Sequence, residues 1–280
     1  MSTSAASLQI GQRLGAYRID ALLGVGGMGT VYSARDRALR RTVAIKVADR
    51  GNAVARRALF QEARIAASLS HPAICSVHEI GCVDDQPFIV MEHIAGEPLS
   101  AVIPPGGLPI ETALHYARQI VDAVAHAHAC GVVHRDLKSA NVMIGAGGAV
   151  KILDFGLAIR ATMSLPDWQT TRLDPRTGAG TVPYMAPELL SGARGGPRSD
   201  IWALGVLMYE MLAGVRPFSG LTGYAVAAAI LSGPPAPLPA HVGGPVLRIV
   251  ARCLQKPLDQ RFGSAKHLAA ALDDVPIARE

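Results

Sequence analysis

The sequence predicts an α+β protein with two lobes: a small strand-rich lobe carrying one main helix, then a larger lobe that is mostly helical. Three observations predict it. The chain has 280 residues, 50% hydrophobic and 18% charged, which is enough to bury a sizeable core and is unlike a disordered composition. From Tyr17 to about Met91, the short runs "YRIDALL", "TVYSAR", "TVAIKVA", "ICSVHEI" and "FIVME" read as strands, interrupted by one helical segment over 53–69. From Leu99 onward the pattern turns helical in "IETALHYARQIVDAVAHAHACG", "SDIWALGVLMYEMLAG", "PVLRIVARCLQ" and "SAKHLAAALDD". Strands followed by helices suit an α+β architecture. The expected joint is "EHIAGEP", Glu92–Pro98, where turn residues follow an apolar strand, and clefts between lobes favour ligands. The expected division is therefore a loose tail over 1–16, a small lobe over 17–91, a joint over 92–98, a large lobe over 99–275 and a short tail over 276–280.

Charge and cysteine usage narrow the function classes. The net charge of +5 is mild and suits an anionic ligand. No aromatic RNA-binding stripe, zinc pattern or concentrated basic helix points to nucleic acid. The four cysteines, at 75, 82, 130 and 253, form no C-x-x-C pair. A zinc ribbon or disulfide framework is thus not expected, and a reducing, cytoplasmic setting is. The opening "MSTSAASLQIGQRL" lacks the basic and apolar regions of a secretory signal. In the uncharged stretch Pro217–Leu247 the longest apolar run is Tyr224–Leu231, short of the ~20 residues a membrane span needs. "IWALGVLMYEMLAGV" is interrupted by Glu210 and reads as a buried helix, so no membrane segment is expected.

The motifs build a phosphate site in chain order. "LLGVGGMGTVY" places Gly24, Gly26 and Gly29 between two strand-like runs. Glycine lets a backbone approach a ligand and aim N–H groups at phosphate. Alone, the pattern also suits a dinucleotide-binding turn or a plain hairpin. A dinucleotide fingerprint needs a helix next, whereas Thr30, Val31 and Tyr32 are strand formers. In "RTVAIKVA", Val43, Ile45 and Val47 face one side, and Ala44 and Lys46 the other. Ala44 is small enough to admit a flat ring, and Lys46 would reach that molecule's phosphates. An edge-strand lysine that discourages aggregation is the alternative. In helix 53–69, positions 55, 58, 59, 62, 65, 66 and 69 share a face on which Glu62 is the only charge. A carboxylate aimed at a core needs a cation, so Lys46 and Glu62 are expected to pair unless Glu62 reaches water at the stripe's edge. "HRDLKSAN" can aim the acid of Asp136 at a hydroxyl and the amide of Asn141 at a metal held by phosphate oxygens. "KILDFGLA" supplies Asp154 as a second oxygen ligand, and magnesium prefers such ligands.

This ordered set resembles the protein kinase family. It comprises G-V-G-G-M-G-T-V at 24–31, V-A-I-K at 43–46, Glu62, H-R-D-L-K-S-A-N at 134–141, D-F-G at 154–156, A-P-E at 186–188, S-D-I-W-A-L-G at 199–205 and Arg261. The wording is most similar to bacterial eukaryotic-like (Hanks-type) serine/threonine kinases. The resemblance implies the bilobal kinase fold with an ATP cleft between lobes, ATP with Mg2+ or alternatively Mn2+, and protein substrates phosphorylated on Ser or Thr. It also implies autophosphorylation and pairing of two copies. Position by position, Leu23, Gly24, Val25, Gly26, Gly27, Met28, Gly29 and Val31 would cover the nucleotide. Ala44 and Val31 would sandwich adenine from above, with Met143 beneath. Met91 would be the gatekeeper, and backbone groups of Glu92 and Ile94 would bond the adenine edge. Lys46 would contact phosphates and be held by Glu62. Asn141 and Asp154 would bind the metal. Asp136 would receive or orient the substrate hydroxyl, and Lys138 would sit against the γ-phosphate. Thr181 would shape the site beside them. Glu188 would pair with Arg261, Asp200 would hold the catalytic loop, and His134 and Phe155 would be core. Within the activation segment Asp154–Glu188, Thr171 or Thr177 would accept phosphate, which Arg135 would bind. The rival implication is a pseudokinase, a nucleotide-binding signalling module without transfer.

Overall fold

The computed structural model describes residues 8–26, 29–48, 53–155 and 181–276. Gly27, Met28, Gly156, Thr171 and Thr177 lie outside the described residues. The chain divides into two compact units, Met1–Ser70 with Cys75–Ala95 and His71–Ile74 with Gly96–Glu280. The division falls at Ala95 inside the expected joint, while the short stretch His71–Ile74 belongs to the second unit, which no local periodicity announces.

The first unit is a six-stranded antiparallel sheet in the order β1-β2-β3-β4-β6-β5. Its strands are β1 (Arg13–Leu14), β2 (Tyr17–Gly26), β3 (Gly29–Asp36), β4 (Arg41–Val47), β5 (Val77–Val83) and β6 (Gln86–Glu92), with helix α1 (Ala53–Ala67) between β4 and β5. The alternation of β4 sorts its side chains to two faces. Val43, Ile45 and Val47 enter a core with Ile19, Tyr32, Ala34, Phe88 and Val90. On the other face, Ile89 packs with Leu59 and Ala63 of α1. β4 lies between β3 and β6, so Lys46 is on a central strand and the edge-lysine reading does not hold.

The segment expected to be a loose tail is part of this core from residue 8 onward. Leu8 and Leu14 are buried in the sheet's hydrophobic cluster. The Leu8 N–H donates to the Tyr32 hydroxyl at 3.1 Å, and β1 extends the sheet beside β2. Two paired residues give no periodic signal, and only the tertiary partners show why these leucines are there. At the far edge, the Tyr17 hydroxyl of β2 donates to Glu79 of β5, which curls the sheet on itself.

The second unit holds a small sheet, β7 (Gly96–Pro98), β8 (Val142–Gly145) and β9 (Val150–Ile152), and seven helices among its described residues. These are α2 (Leu99–Val102), α3 (Ile110–Ala129), α4 (Pro187–Leu190), α5 (Pro197–Ala213), α6 (Gly223–Ser232), α7 (Gly244–Cys253) and α8 (Ala265–Asp273). Helix α5 is apolar nearly all round and is accordingly a core element. Ile201, Trp202, Val206 and Met211 are fully buried. It ends at Gly214, whose φ of 70° suits the left-handed cap. Helix α6 buries only Val226 and Ile230, leaving Tyr224 and Leu231 exposed. Among the described residues no helix is long and apolar enough to cross a membrane.

Candidate active site

The first unit contributes a glycine hairpin, a buried ion pair and a strand end. β2 and β3 pair Gly24 with Val31, Val25 with Thr30 and Gly26 with Gly29, so the glycines lie in a β-hairpin, as the strand formers after them predict. Gly29 has φ +133°, and a Cβ there would meet the Val47 carbonyl oxygen at 2.0 Å, so only glycine fits. Leu23 and Val25 stand 52% and 76% exposed, an apolar surface on the hairpin. Val31 faces Lys46 across the β3–β4 pairing, and Ala44 faces Met91 across β4–β6. Lys46 Nζ lies 2.9 Å from Glu62 Oε1, and the two residues are 5% and 7% exposed. The periods of strand and helix together thus bring the two lone charges into contact. Ala63 is more buried than Ile65, so the α1 face is rotated slightly from the expected stripe. At the end of β6, the Glu92 N–H is committed to Ser76 O at 2.9 Å. What Glu92 can offer an adenine is therefore its carbonyl, which the Cys75 thiol approaches at 3.8 Å. Ile94 is half-buried in the turn that follows.

The second unit contributes the loop 134–141 and the strand ends beside it. Asp200, at the start of α5, is 1% exposed and holds this loop by its backbone. Its carboxylate accepts from His134 N at 2.8 Å, from Arg135 N at 2.9 Å and from His128 Nε2 at 2.8 Å. These bonds hold Arg135 at φ 65°, a left-handed conformation that costs a non-glycine residue about 1–3 kcal/mol. Asp136, 8% exposed, accepts from Lys138 Nζ at 2.9 Å and from Asn141 Nδ2 at 3.2 Å, both on Oδ2. Asn141 Nδ2 also donates to the Asp136 carbonyl at 2.8 Å. Among the described residues Asp136 Oδ1 accepts no hydrogen bond. Lys138 Nζ donates in addition to Thr181 Oγ1 at 3.0 Å.

Backbone pairing places Asp154 beside Asn141. The Leu153 N–H donates to Asn141 O at 2.8 Å, and the Leu153 carbonyl meets His134 Nε2 at 3.0 Å. Asp154 itself is at φ 55°. His134 and Phe155 are buried with ring centroids 4.7 Å apart, which agrees with a core role. Met143 is on β8, opposite Pro98 and Lys151.

A buried ion pair ties the start of α4 to the segment before α8. Arg261 Nη1 and Nη2 make paired bonds of 2.9 and 2.8 Å to the two oxygens of Glu188. The Glu188 carboxyl is pushed up by burial, but hydrogen bonds from Arg261 and Ser199 outweigh this and hold it below the usual range. Beside Asp200, loop 134–141 has a second brace that sequence reasoning missed. Ser139 Oγ meets the Tyr184 hydroxyl at 2.9 Å, and that hydroxyl donates to Glu210 of α5. Burial and Glu210 push the Tyr184 hydroxyl well above its usual range. Ser139 lies inside the quoted loop motif, but its partner is 45 residues away and no spacing signals it.

The sequence model described as "Protein kinase domain" matches residues 17–271. The chain is 38% identical over 276 residues to the serine/threonine-protein kinase PknA of Mycobacterium tuberculosis, covering 95% of this chain and 62% of PknA. It is 39% identical over 224 residues to the serine/threonine-protein kinase PrkC of Bacillus subtilis, covering 78% of this chain and 34% of PrkC. It is 37% identical over 279 residues to a probable serine/threonine-protein kinase, SCO3848, of Streptomyces coelicolor, covering 41% of that protein. The chain thus spans less than two thirds of the length of each of these relatives. With a family match running across both the curled sheet and the helical unit, this chain belongs to the protein kinase domain family.

Proposed function

We propose that the chain is an ATP-dependent protein kinase that transfers the γ-phosphoryl group of ATP to Ser or Thr hydroxyls of proteins. The observation that carries this reading is the orientation of Asp136. Lys138 and Asn141 both engage Oδ2, leaving Oδ1 for a substrate hydroxyl. The hydroxyl oxygen bonds to the γ-phosphorus as the bond to the bridging β–γ oxygen breaks and ADP leaves, and the hydroxyl proton passes to Asp136. Aligning the hydroxyl is its main contribution, because a loose phosphoryl transition state asks mainly for positioning. The Lys138 ammonium sits within reach of the same reaction centre and offsets charge on the transferred group. Lys46, fixed by Glu62, would hold the α- and β-phosphates. Leu23 and Val25 would cover the nucleotide, and Val31 and Ala44 would lie against adenine from above, with Met143 beneath.

The donor set suits magnesium. Asn141 and Asp154 would both offer oxygen, and Asn141 has its Nδ2 turned to Asp136, so its side-chain oxygen would face a cation. Bound there with phosphate oxygens, the ion would neutralise charge on the nucleotide. Asp154 would supply the anionic ligand and Asn141 the neutral one; manganese would accept the same oxygens.

Regulation follows from Arg135. Its Nε is buried without a partner among the described residues, which supports the reading that a phosphate on Thr171 or Thr177 completes the site. Autophosphorylation between two copies would supply that phosphate. A cytoplasmic setting fits four cysteines that form no disulfide among the described residues. The test is incubation with Mg·ATP and a generic protein substrate, followed by phosphosite mapping. Phosphoserine or phosphothreonine formed by wild type and lost in Asp136→Asn is expected. Nucleotide binding without transfer by wild type would favour the pseudokinase reading.

A further inference from the structure

A groove of about 460 Å³ runs between α7 and α8, away from every residue assigned to phosphoryl transfer. Its volume is in the range of ligand-binding clefts, roughly 300–1,000 Å³. Its floor is apolar, with Ile249, Phe262 and Val275 largely buried. Arg248 and Arg252 line one side, both exposed, and Asp274 lines the other. The spacing i, i+4 puts both guanidinium groups on the same helical face, where like charges repel. Helix α7 contains no acidic residue to relieve them, and no carboxylate elsewhere among the described residues engages either one. The Arg252 guanidinium lies 4.4 Å from the Phe262 ring centroid, which forms a ledge of aromatic and cationic surface. Asp273 turns instead to Arg118 at 3.7 Å, so one aspartate faces two arginines in the groove.

We propose that this groove docks an acidic segment of a partner protein, with one apolar side chain seated on the floor beside the Arg252–Phe262 stack and carboxylates paired to Arg248 and Arg252. Charge complementarity selects the acid and the floor selects the apolar anchor. Carboxylates two residues apart on an extended peptide are ~7 Å apart, close to the ~6 Å rise over the four helical residues that separate the arginines. A concave site with a carboxylate on its far wall suits a peptide better than a lipid bilayer, which presents a flat anionic plane. The proposal does not rest on the kinase reading, because docking is measured without ATP.

The probe is a fluorescein-labelled Glu-Ser-Glu-Ser-Phe peptide, whose two carboxylates and ring share one face when extended, titrated against the whole chain by fluorescence anisotropy. A counterpart with lysine in place of each glutamate is the control. The acidic peptide is expected to bind and to weaken as salt rises, while the lysine peptide does not bind. Arg248→Glu with Arg252→Glu should weaken binding at least about tenfold. Asp274→Asn should tighten it about two- to fivefold, a gain that misfolding cannot produce. Four results would overturn the proposal: no binding of the acidic peptide by wild type, equal binding of the lysine peptide, no change in the arginine variants, or binding to phosphatidylserine vesicles in place of peptide.

Discussion

Replacing Arg261 by methionine should destabilise the helical unit strongly and invert part of its pH dependence. The guanidinium is 1% exposed and meets both oxygens of Glu188. It also donates to the carbonyls of Gln255 at 2.7 Å, Arg198 at 3.0 Å and Lys256 at 3.0 Å, and lies 5.1 Å from the Trp202 ring centroid. Methionine keeps much of the volume and none of the donors. Removing one partner of a buried ion pair costs about 3–5 kcal/mol. At 2–4 °C per kcal/mol for a unit of this size, the melting temperature should fall by roughly 6–20 °C. In wild type the folded carboxyl of Glu188 is lowered, so its stabilisation is full above the ordinary carboxylate range and is lost as pH falls through the folded value. In the variant, burial, the largest influence on this carboxyl, is opposed by the Ser199 hydrogen bond without Arg261, so the folded carboxyl is expected above that range. Its penalty is full at neutral pH and is relieved as pH falls through the raised value. The gap between the two melting curves should therefore narrow from about pH 7.5 to about pH 5. Scanning calorimetry across that range, with Trp202 emission as a local reporter, is the assay. A drop under about 2 °C, or a gap that does not change with pH, would refute the reasoning.

Three other substitutions probe the site. Asp200→Asn cannot accept all three bonds made by the carboxylate. A lost bond to a charged acceptor is worth about 1.5–3 kcal/mol, so kcat should fall about 10- to 100-fold with helical content unchanged by circular dichroism. Ser139→Ala removes one neutral bond from the Tyr184 brace. At about 0.5–1.5 kcal/mol, this should lower kcat about two- to tenfold without moving the KM for ATP, and Ser139→Thr should restore it. Gly29→Ala forces a Cβ against the Val47 carbonyl at a strained φ. It should raise the Kd for Mg·ATP about 5- to 100-fold in calorimetric titration, from about 1–3 kcal/mol of strain.

Local chemistry made the sheet, the helical segments and the Lys46–Glu62 contact legible, because each rests on a period of two or 3.6 residues. The loop 134–141 was legible as a site because it holds an acid and an amide that can be aimed at a hydroxyl and a metal. The pairing of Glu188 with Arg261 spans 73 residues, and only the resemblance to a family suggested it. What stayed hidden depends on partners distant in sequence. Leu8 and Leu14 look like tail residues until the sheet cluster appears around them. Ser139 reads as a polar loop residue until Tyr184 meets it. His128 reads as one histidine among several on α3, yet it is the third donor to Asp200. The transfer of His71–Ile74 to the helical unit rests on the Ile152 N–H reaching Ala73 O at 2.8 Å, a long-range bond with no composition signal.

The most direct test separates nucleotide binding from transfer in a single set of proteins. Calorimetric titration with Mg·ATP and a phosphoryl-transfer assay should be run on wild type, Asp154→Asn and Asp136→Asn. Wild type is expected to bind and transfer, Asp154→Asn to lose magnesium-dependent binding, and Asp136→Asn to bind but transfer nothing. Full transfer by Asp136→Asn, or Mg·ATP binding untouched by Asp154→Asn, would contradict this expectation.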